Sequence, residues 1–351
     1  MTSVTQRTLT VKQPYGGYLP VREMDVQRFD DGCELSRQGI AEPTLLGTTV
    51  DSLFRLRLGG TPEEVFDLAI RVVAAHGVEN PAVFHKCLKE VDWQTNKGVA
   101  AAFRLCDLFQ YGFSFTMGPV RVNSRLYNKY DVANARVMLD RLQHWVMDKT
   151  VIRNGFVMPG GYSEIVNCGD GDLLTQDGLW DIKLLKRSPT SKNTLQLLMY
   201  WRMGLRSEEP ADFDVSHLGI FNPKLNMEWS ARTDQISDDV VEEVERFAIG
   251  YGDRDHVKEL LVQDVIHWMM VERNRAVRSW ARSKELQVPE RGRLPKALLD
   301  AYDLEYPGLD EEVQALRDSL VFTEGENGFR YDREKVVWPS WYDPDRFFFF
   351  I

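Results

Sequence analysis

The chain has 351 residues, 27% of them charged and 43% hydrophobic, and its 53 acidic against 43 basic side chains give a net charge of −10. That length exceeds one ordinary core and the apolar content is too high for disorder, so two or three packed units are expected. So acidic an average argues against a surface that coats nucleic acid throughout, but an average leaves room for a local basic patch. Cys33, Cys87, Cys106 and Cys168 lie far apart with no Cys-x-x-Cys pair, which argues against a zinc site or a disulfide framework and for reduced thiols in the cytoplasm. No run approaches the roughly 18 apolar residues of a membrane span, and the start Met1-Thr-Ser-Val-Thr-Gln-Arg lacks a signal peptide's apolar stretch. The apolar end at 347–351 is too short to cross a bilayer and reads as a docked tail or partner contact.

In chain order, the first fifty residues carry no clear period. Thr61-Pro-Glu-Glu supplies an N-cap, a proline at the first helical position and early acids, so 65–75 is expected to form an amphipathic helix. Further helices are expected at 82–91, 99–109 and 132–147, making 1–130 a mainly helical region. After Pro159-Gly-Gly the pattern changes to short runs at 162–166, 171–175, 179–184 and 215–221, separated by Gly, Asn and Asp and read as strands. Helices are expected at 194–203 and, capped by Ser237-Asp-Asp, at 240–247. The fold expected for 131–252 is therefore α/β in the α+β sense, a mixed sheet flanked by helices. Helix resumes from 257 to about 286, breaks at Pro289 and Gly292, and returns at 295–302; 306–351 is a tail with an acidic helix and an aromatic end.

The stretch Gly169-Asp-Gly-Asp-Leu-Leu-Thr-Gln-Asp-Gly-Leu-Trp-Asp-Ile-Lys183 carries the most chemistry. Asp177-Gly178 between apolar runs predicts a two-residue type I′ hairpin that pairs Thr175 with Trp180 and Asp172 with Lys183. Alternation then gathers Asp172, Asp181 and Lys183 on one face and leaves Leu173, Trp180 and Ile182 behind it. Two close carboxylates repel unless a cation sits between them, and hard oxygen ligands suit Mg²⁺ or Mn²⁺. Such an ion could polarise a phosphoryl oxygen and lower the pKa of bound water, with Lys183 orienting that water or neutralising charge. The plainer reading is an Asp–Lys surface pair and an unrelated Asp.

Asp172, then Asp181-Ile-Lys183, then Gln196 and Tyr200 four apart on a helix, resemble the PD-(D/E)XK nuclease superfamily, in particular its RecB-like branch, over about forty residues. The resemblance implies a restriction-endonuclease-like core, metal at Asp172 and Asp181, a catalytic Lys183, and Gln196 and Tyr200 beside them. The upstream acid that many relatives carry is missing from the pattern; Glu164 and Asp140 are the candidates. That gap leaves open a version of the fold that grips DNA without cutting it.

Residues 271–298 hold eight Lys and Arg against three acids, a local charge of +5, so the rest of the chain sums to −15. A basic island in an acidic chain is an electrostatic footprint for a polyanion. Its order reads helix, loop, helix, with Arg291-Gly292-Arg293 at the second helix's entrance. Gly292 lets the backbone approach, and two guanidinium groups can enter a narrow, negative minor groove. Trp280, Ala281, Val288, Leu294, Leu298 and Tyr302 would form a small core.

This segment is similar to the C-terminal DNA-binding domain of the actinobacterial xenogeneic silencer, with Lys284-Glu285 where that family usually has Asn-Gly. The likeness implies Arg291 and Arg293 in the minor groove of AT-rich DNA and Arg278, Arg282 and Lys296 at phosphates. Together the two resemblances imply a Mg²⁺- or Mn²⁺-dependent deoxyribonuclease of the nucleoid that is directed to AT-rich, foreign DNA in antiphage defence. Its partner would be an AT-rich duplex and not a membrane, and cutting both strands would favour a homodimer. The alternative is a non-catalytic DNA-binding or silencing protein with a nuclease-like scaffold.

Overall fold

The computed structural model describes residues 2–112, 118–123, 126–325, 328–339 and 342. Among these, the helices are α1 (Val4–Thr10), α2 (Pro43–Arg57), α3 (Pro62–Val65), α4 (Asp67–His76), α5 (Pro81–Glu90), α6 (Asn96–Asp107) and α7 (Lys129–Val146). They continue with α8 (Ser191–Leu205), α9 (Asp238–Glu243), α10 (Arg254–Ser283), α11 (Lys296–Glu305) and α12 (Leu309–Ser319). The strands are β1 (Asp25–Arg28), β2 (Val151–Phe156), β3 (Gly171–Thr175), β4 (Gly178–Ile182), β5 (His217–Asn222), β6 (Met227–Arg232), β7 (Phe322–Gly325) and β8 (Gly328–Tyr331). The fold is α+β, with a mixed six-stranded sheet and flanking helices. None of these helices is long and apolar enough to cross a membrane.

The chain forms two compact units that alternate along the sequence: a sheet unit from Gly16–Met158 and Asp170–Ser237, and a second unit from Met1–Tyr15, Pro159–Gly169 and Asp238–Ile351. The sheet order is β1-β6-β5-β4-β3-β2, antiparallel except for β4 beside β5. A parallel pair needs a crossover connection, and α8 supplies it. Strand β4 is buried along its whole length. Helices α2 to α7 share one apolar core with the sheet: Leu53, Phe54, Phe103, Met138 and Leu142 pack with Leu173, Trp180 and Phe221. Trp145 stacks on Phe221 at 4.4 Å and meets Trp180 edge-on at 5.2 Å. The Trp180 ring lies across Gly178 and Gly219, where added Cβ atoms would come within 2.6 and 2.2 Å of it.

The second unit is tied together by Arg7 of α1, which is 3% exposed. Its guanidinium donates to the carbonyls of Ala248 (2.8 Å) and Phe247 (2.7 Å) and to Asp264 Oδ2 (2.6 Å). A separate core joins Val262, Val265 and Met269 of α10 to Leu316, Leu320, Phe322 and Val336.

Several local expectations change. The helix expected over 65–75 is broken at buried Phe66, with α3 held by a reciprocal Thr61–Glu64 cap before α4 begins. The strand expected at 162–166 is a loop, because the Ser163 hydroxyl accepts the Ile165 and Val166 N–H groups. Helix α2 was not expected, since Gly47 and the β-branched Thr44, Thr48, Thr49 and Val50 weaken its propensity. It forms because Leu46, Val50, Leu53 and Phe54 make one apolar stripe facing the core. The aromatic end at 347–351 lies outside the described residues.

Substituting Gly219→Ala should force the Trp180 ring from its place and destabilise the sheet unit by about 1–3 kcal/mol, read as a lower urea midpoint. An unchanged midpoint would contradict the close approach.

Candidate functional site

The hairpin that gathers the carboxylates is wider than a type I′ turn. Leu173 pairs with Trp180 and Leu174 with Leu179, a shift of two residues from the expected register. Thr175 causes the shift: its hydroxyl accepts from the Gly178 N–H (3.1 Å) and Trp180 Nε1 (2.9 Å) and lies 2.7 Å from Asp177 Oδ1. A shift of two keeps every side chain on its expected face. It changes the partners: continued by one residue, this register sets Asp172 opposite Asp181 and not opposite Lys183.

Asp181 is 1% exposed, and among the described residues its carboxylate has no hydrogen-bonding partner besides the Lys183 ammonium. Its compensation is the Lys183 ammonium, 2.9 Å from Oδ1. Burial alone would depress the pKa of Lys183, but the charges of Asp181 and Asp172 outweigh it and hold the ammonium above its ordinary range. The Asp172 carboxyl is pushed well up, first by burial and then by the Asp181 charge, although Oδ2 accepts the Ile182 N–H at 2.6 Å. From α8, buried Gln196 donates to the Tyr200 hydroxyl at 2.9 Å. Burial, then the charges of Asp181 and Asp172, push that phenol up. The hairpin thus brings Asp172, Asp181 and Lys183 together, and α8 presents Gln196 hydrogen-bonded to Tyr200.

The acid that joins them was missed in the sequence. It is Asp51 on α2, whose carboxyl is raised by burial, countered by the charges of Arg55 and Lys183, and raised further by Asp181. Asp140 is instead exposed and ion-paired with Arg57 at 3.1 Å, while Glu164 is exposed in a loop of the other unit. A usable signal was a carboxylate set between Val50 and Ser52-Leu53-Phe54, four residues that are all buried. Among the described residues no three His, Cys, Asp or Glu side chains form a ready metal cage. The donors suit a hard cation that keeps most of its waters and takes one or two carboxylates, as Mg²⁺ does.

In the second unit, α10 ends in a Schellman cap: Leu286 N–H donates to the Ala281 carbonyl (2.9 Å) and Glu285 N–H to that of Arg282 (3.1 Å). Glu285 is therefore held left-handed at φ +56°, doing in this chain what glycine does more cheaply. Val277, Leu294 and Tyr302 form the small core, with Trp280 edge-on to Tyr302 at 5.4 Å.

The basic side chains of this segment divide by role. Arg273 pairs with Asp303, Arg275 with Glu272, and Lys284 with Glu305. Arg278, expected at a phosphate, turns toward its own chain, donating to the carbonyls of Asn274 (3.1 Å), Pro289 (3.3 Å) and Gly292 (2.5 Å). It thus pins the loop that carries Arg291 and Arg293. Arg282, Arg291, Arg293 and Lys296 are exposed, with no ion pair among the described residues. Gly292 has φ +88° and open space around it, so backbone angle and not crowding requires glycine there.

Residues 271–304 match the Lsr2 DNA-binding domain family. The chain thus carries an Lsr2-type DNA-binding domain, built of the end of α10, the pinned loop and α11. Neither the comparison with curated proteins nor that with solved structures returns a match.

Two outcomes follow from these sites. Between the ordinary carboxylate value and the raised value of Asp172, the folded state binds more protons than the unfolded, so this group lowers stability as pH rises. Asp172→Asn should melt about 3 °C or more above wild type at pH 7, with the gap closing as pH falls from the raised value of Asp172 toward about 4 and absent below it. Glu285→Gly should stabilise the DNA-binding domain by about 1 kcal/mol in a denaturant titration.

Proposed function

We propose that the protein is a divalent-metal-dependent deoxyribonuclease that hydrolyses DNA phosphodiesters and is delivered to AT-rich duplexes by its Lsr2-type domain. The observation that carries this reading is Asp181: a buried carboxylate paired with the Lys183 ammonium and facing Asp172, in a chain that also carries a DNA-binding domain. Asp172 and Asp181 would hold Mg²⁺ or Mn²⁺, with Asp51 adding negative charge nearby; the ion would polarise a phosphoryl oxygen and acidify a bound water.

Lys183 suits one role better than another. Its raised pKa keeps it protonated at neutral pH, which fits a group that orients water and neutralises developing charge and does not fit a general base. Tyr200, likewise held protonated, offers a hydroxyl that Gln196 orients. At the other unit, Arg291 and Arg293 would enter a narrow minor groove on either side of Gly292, with Arg282 and Lys296 at phosphates and Arg278 holding the loop. A preference for AT-rich DNA would direct the enzyme to invading phage or plasmid DNA at the nucleoid, and cutting both strands would favour a homodimer.

The second reading is a non-catalytic DNA-binding or silencing protein on a nuclease-like scaffold. It is favoured by the lack of a three-ligand cage among the described residues and by the Lys183–Asp181 pair, which already offsets one buried charge.

Purified protein incubated with AT-rich and GC-rich duplexes separates the two. With Mg²⁺ or Mn²⁺ the wild type should cut, and Asp181→Ala and Lys183→Ala should each slow cutting by about a hundredfold or more. Arg291→Ala with Arg293→Ala should weaken binding to AT-rich duplex by about tenfold or more and remove its preference over GC-rich duplex. Intact DNA under every metal, with tight and salt-sensitive binding, would favour the silencer.

A further inference from the structure

Arg55 sits in the last turn of α2, four residues after Asp51, so the two share a helix face. Its Nε is buried without a hydrogen-bond partner, and its side chain makes no ion pair among the described residues. Arg57, two residues on, is fully engaged: it stacks on Trp93 at 4.4 Å and pairs with Asp140. Arg153 of β2 is engaged too, donating to Asp212 at 2.9 Å.

The room for the Arg55 guanidinium is made by one residue. Gly155 of β2 has φ +60°, and a Cβ there would lie 2.6 Å from Arg55 Cζ, 2.7 Å from Nε and 2.9 Å from Nη2. A glycine inside a strand weakens it, and an unmade hydrogen bond on a buried Nε weakens the fold again. The glycine is set by its own backbone angle, but the guanidinium is left without an anionic partner among the described residues. That is accounted for if an oxyanion takes its Nη groups, which unlike Nε are not closed off, the chemistry by which guanidinium groups bind phosphate. Strand β2 pairs Asn154 with Leu173 and Phe156 with Gly171, which sets Gly155 opposite Asp172. An anion held against Gly155 therefore lies beside that carboxylate.

We propose that Arg55, seated against Gly155, is a phosphate-binding residue that holds a phosphodiester of the nucleic-acid strand at the carboxylate site. The proposal rests on the nuclease reading for its ligand, since it is the strand to be cut that would lie there.

The test uses the full chain with Arg291→Ala and Arg293→Ala, so that the Lsr2-type domain does not mask weak binding. The probe is a short fluorescein-labelled oligo(dT), followed by anisotropy in EDTA, with inorganic phosphate as competitor; KM and kcat are measured separately with Mg²⁺. Arg55→Met should raise both the oligonucleotide Kd and KM by about tenfold or more, change kcat less, and abolish competition by phosphate. Arg55→Lys should recover part of the binding. Melting temperature is the control: a purely structural arginine would lower it and leave Kd alone.

Unchanged Kd and KM in Arg55→Met, or phosphate competing equally in both proteins, overturns the seat. If Asp181→Asn abolishes cleavage in that same case, the catalytic reading survives without it. If no metal supports cleavage but Arg55→Met still loses the oligonucleotide, the seat stands and the catalytic reading falls.

Discussion

A buried carboxylate compensated by one ammonium, held on the most buried strand of the sheet, is the constraint on which the sheet unit turns. Removing Asp181 from water is costly, and one ammonium at 2.9 Å offsets only part of that cost. The neighbouring carboxyls of Asp172 and Asp51 respond by favouring their protonated forms, and Lys183 by keeping its proton. The packing leaves Asp181 nowhere else to go. Strand alternation turns Trp180 and Ile182 into the core, and Trp180 is locked by Gly178, Gly219 and Trp145, so the intervening side chain must face the other way.

Much of that arrangement could be read from residue order because it depends on parity. Asp172 and Asp181 keep their shared face whether the turn has two residues or four, so an error of two in register did not disturb the grouping. The register itself was hidden, since the Thr175 hydroxyl takes the place of a backbone partner, and a threonine in a strand gives no sign of doing so. Gln196 and Tyr200 were legible from their spacing of four. Asp51 was not, because its helix has weak propensity and is made by tertiary packing, and only contacts far along the chain reveal that packing.

The basic segment shows what counting charges can and cannot do. A local excess of +5 marked the correct stretch, and the Lsr2-type domain lies there. The sum does not separate charges that face outward from those used within. Arg273, Arg275 and Lys284 are neutralised by neighbours, and Arg278 is turned to three carbonyls. What remains for a polyanion is Arg282, Arg291, Arg293 and Lys296, two of them flanking the one glycine whose backbone angle sets the loop.

The alternation of the two units along the chain also sets a timetable for synthesis. The sheet unit has all of its residues once position 237 has been made, but Arg7 must wait for Asp264, 257 residues later. At a ribosomal rate of roughly 5–20 residues per second that is a delay of about 13–50 s, during which the start of α1 is held in its own unit first by the pairing of residues 2–4 with Asn167 and Cys168. A nascent chain of this kind completes its middle before its beginning, and a ribosome that stalls just past 237 would leave the sheet unit folded and Arg7 still without Phe247, Ala248 and Asp264.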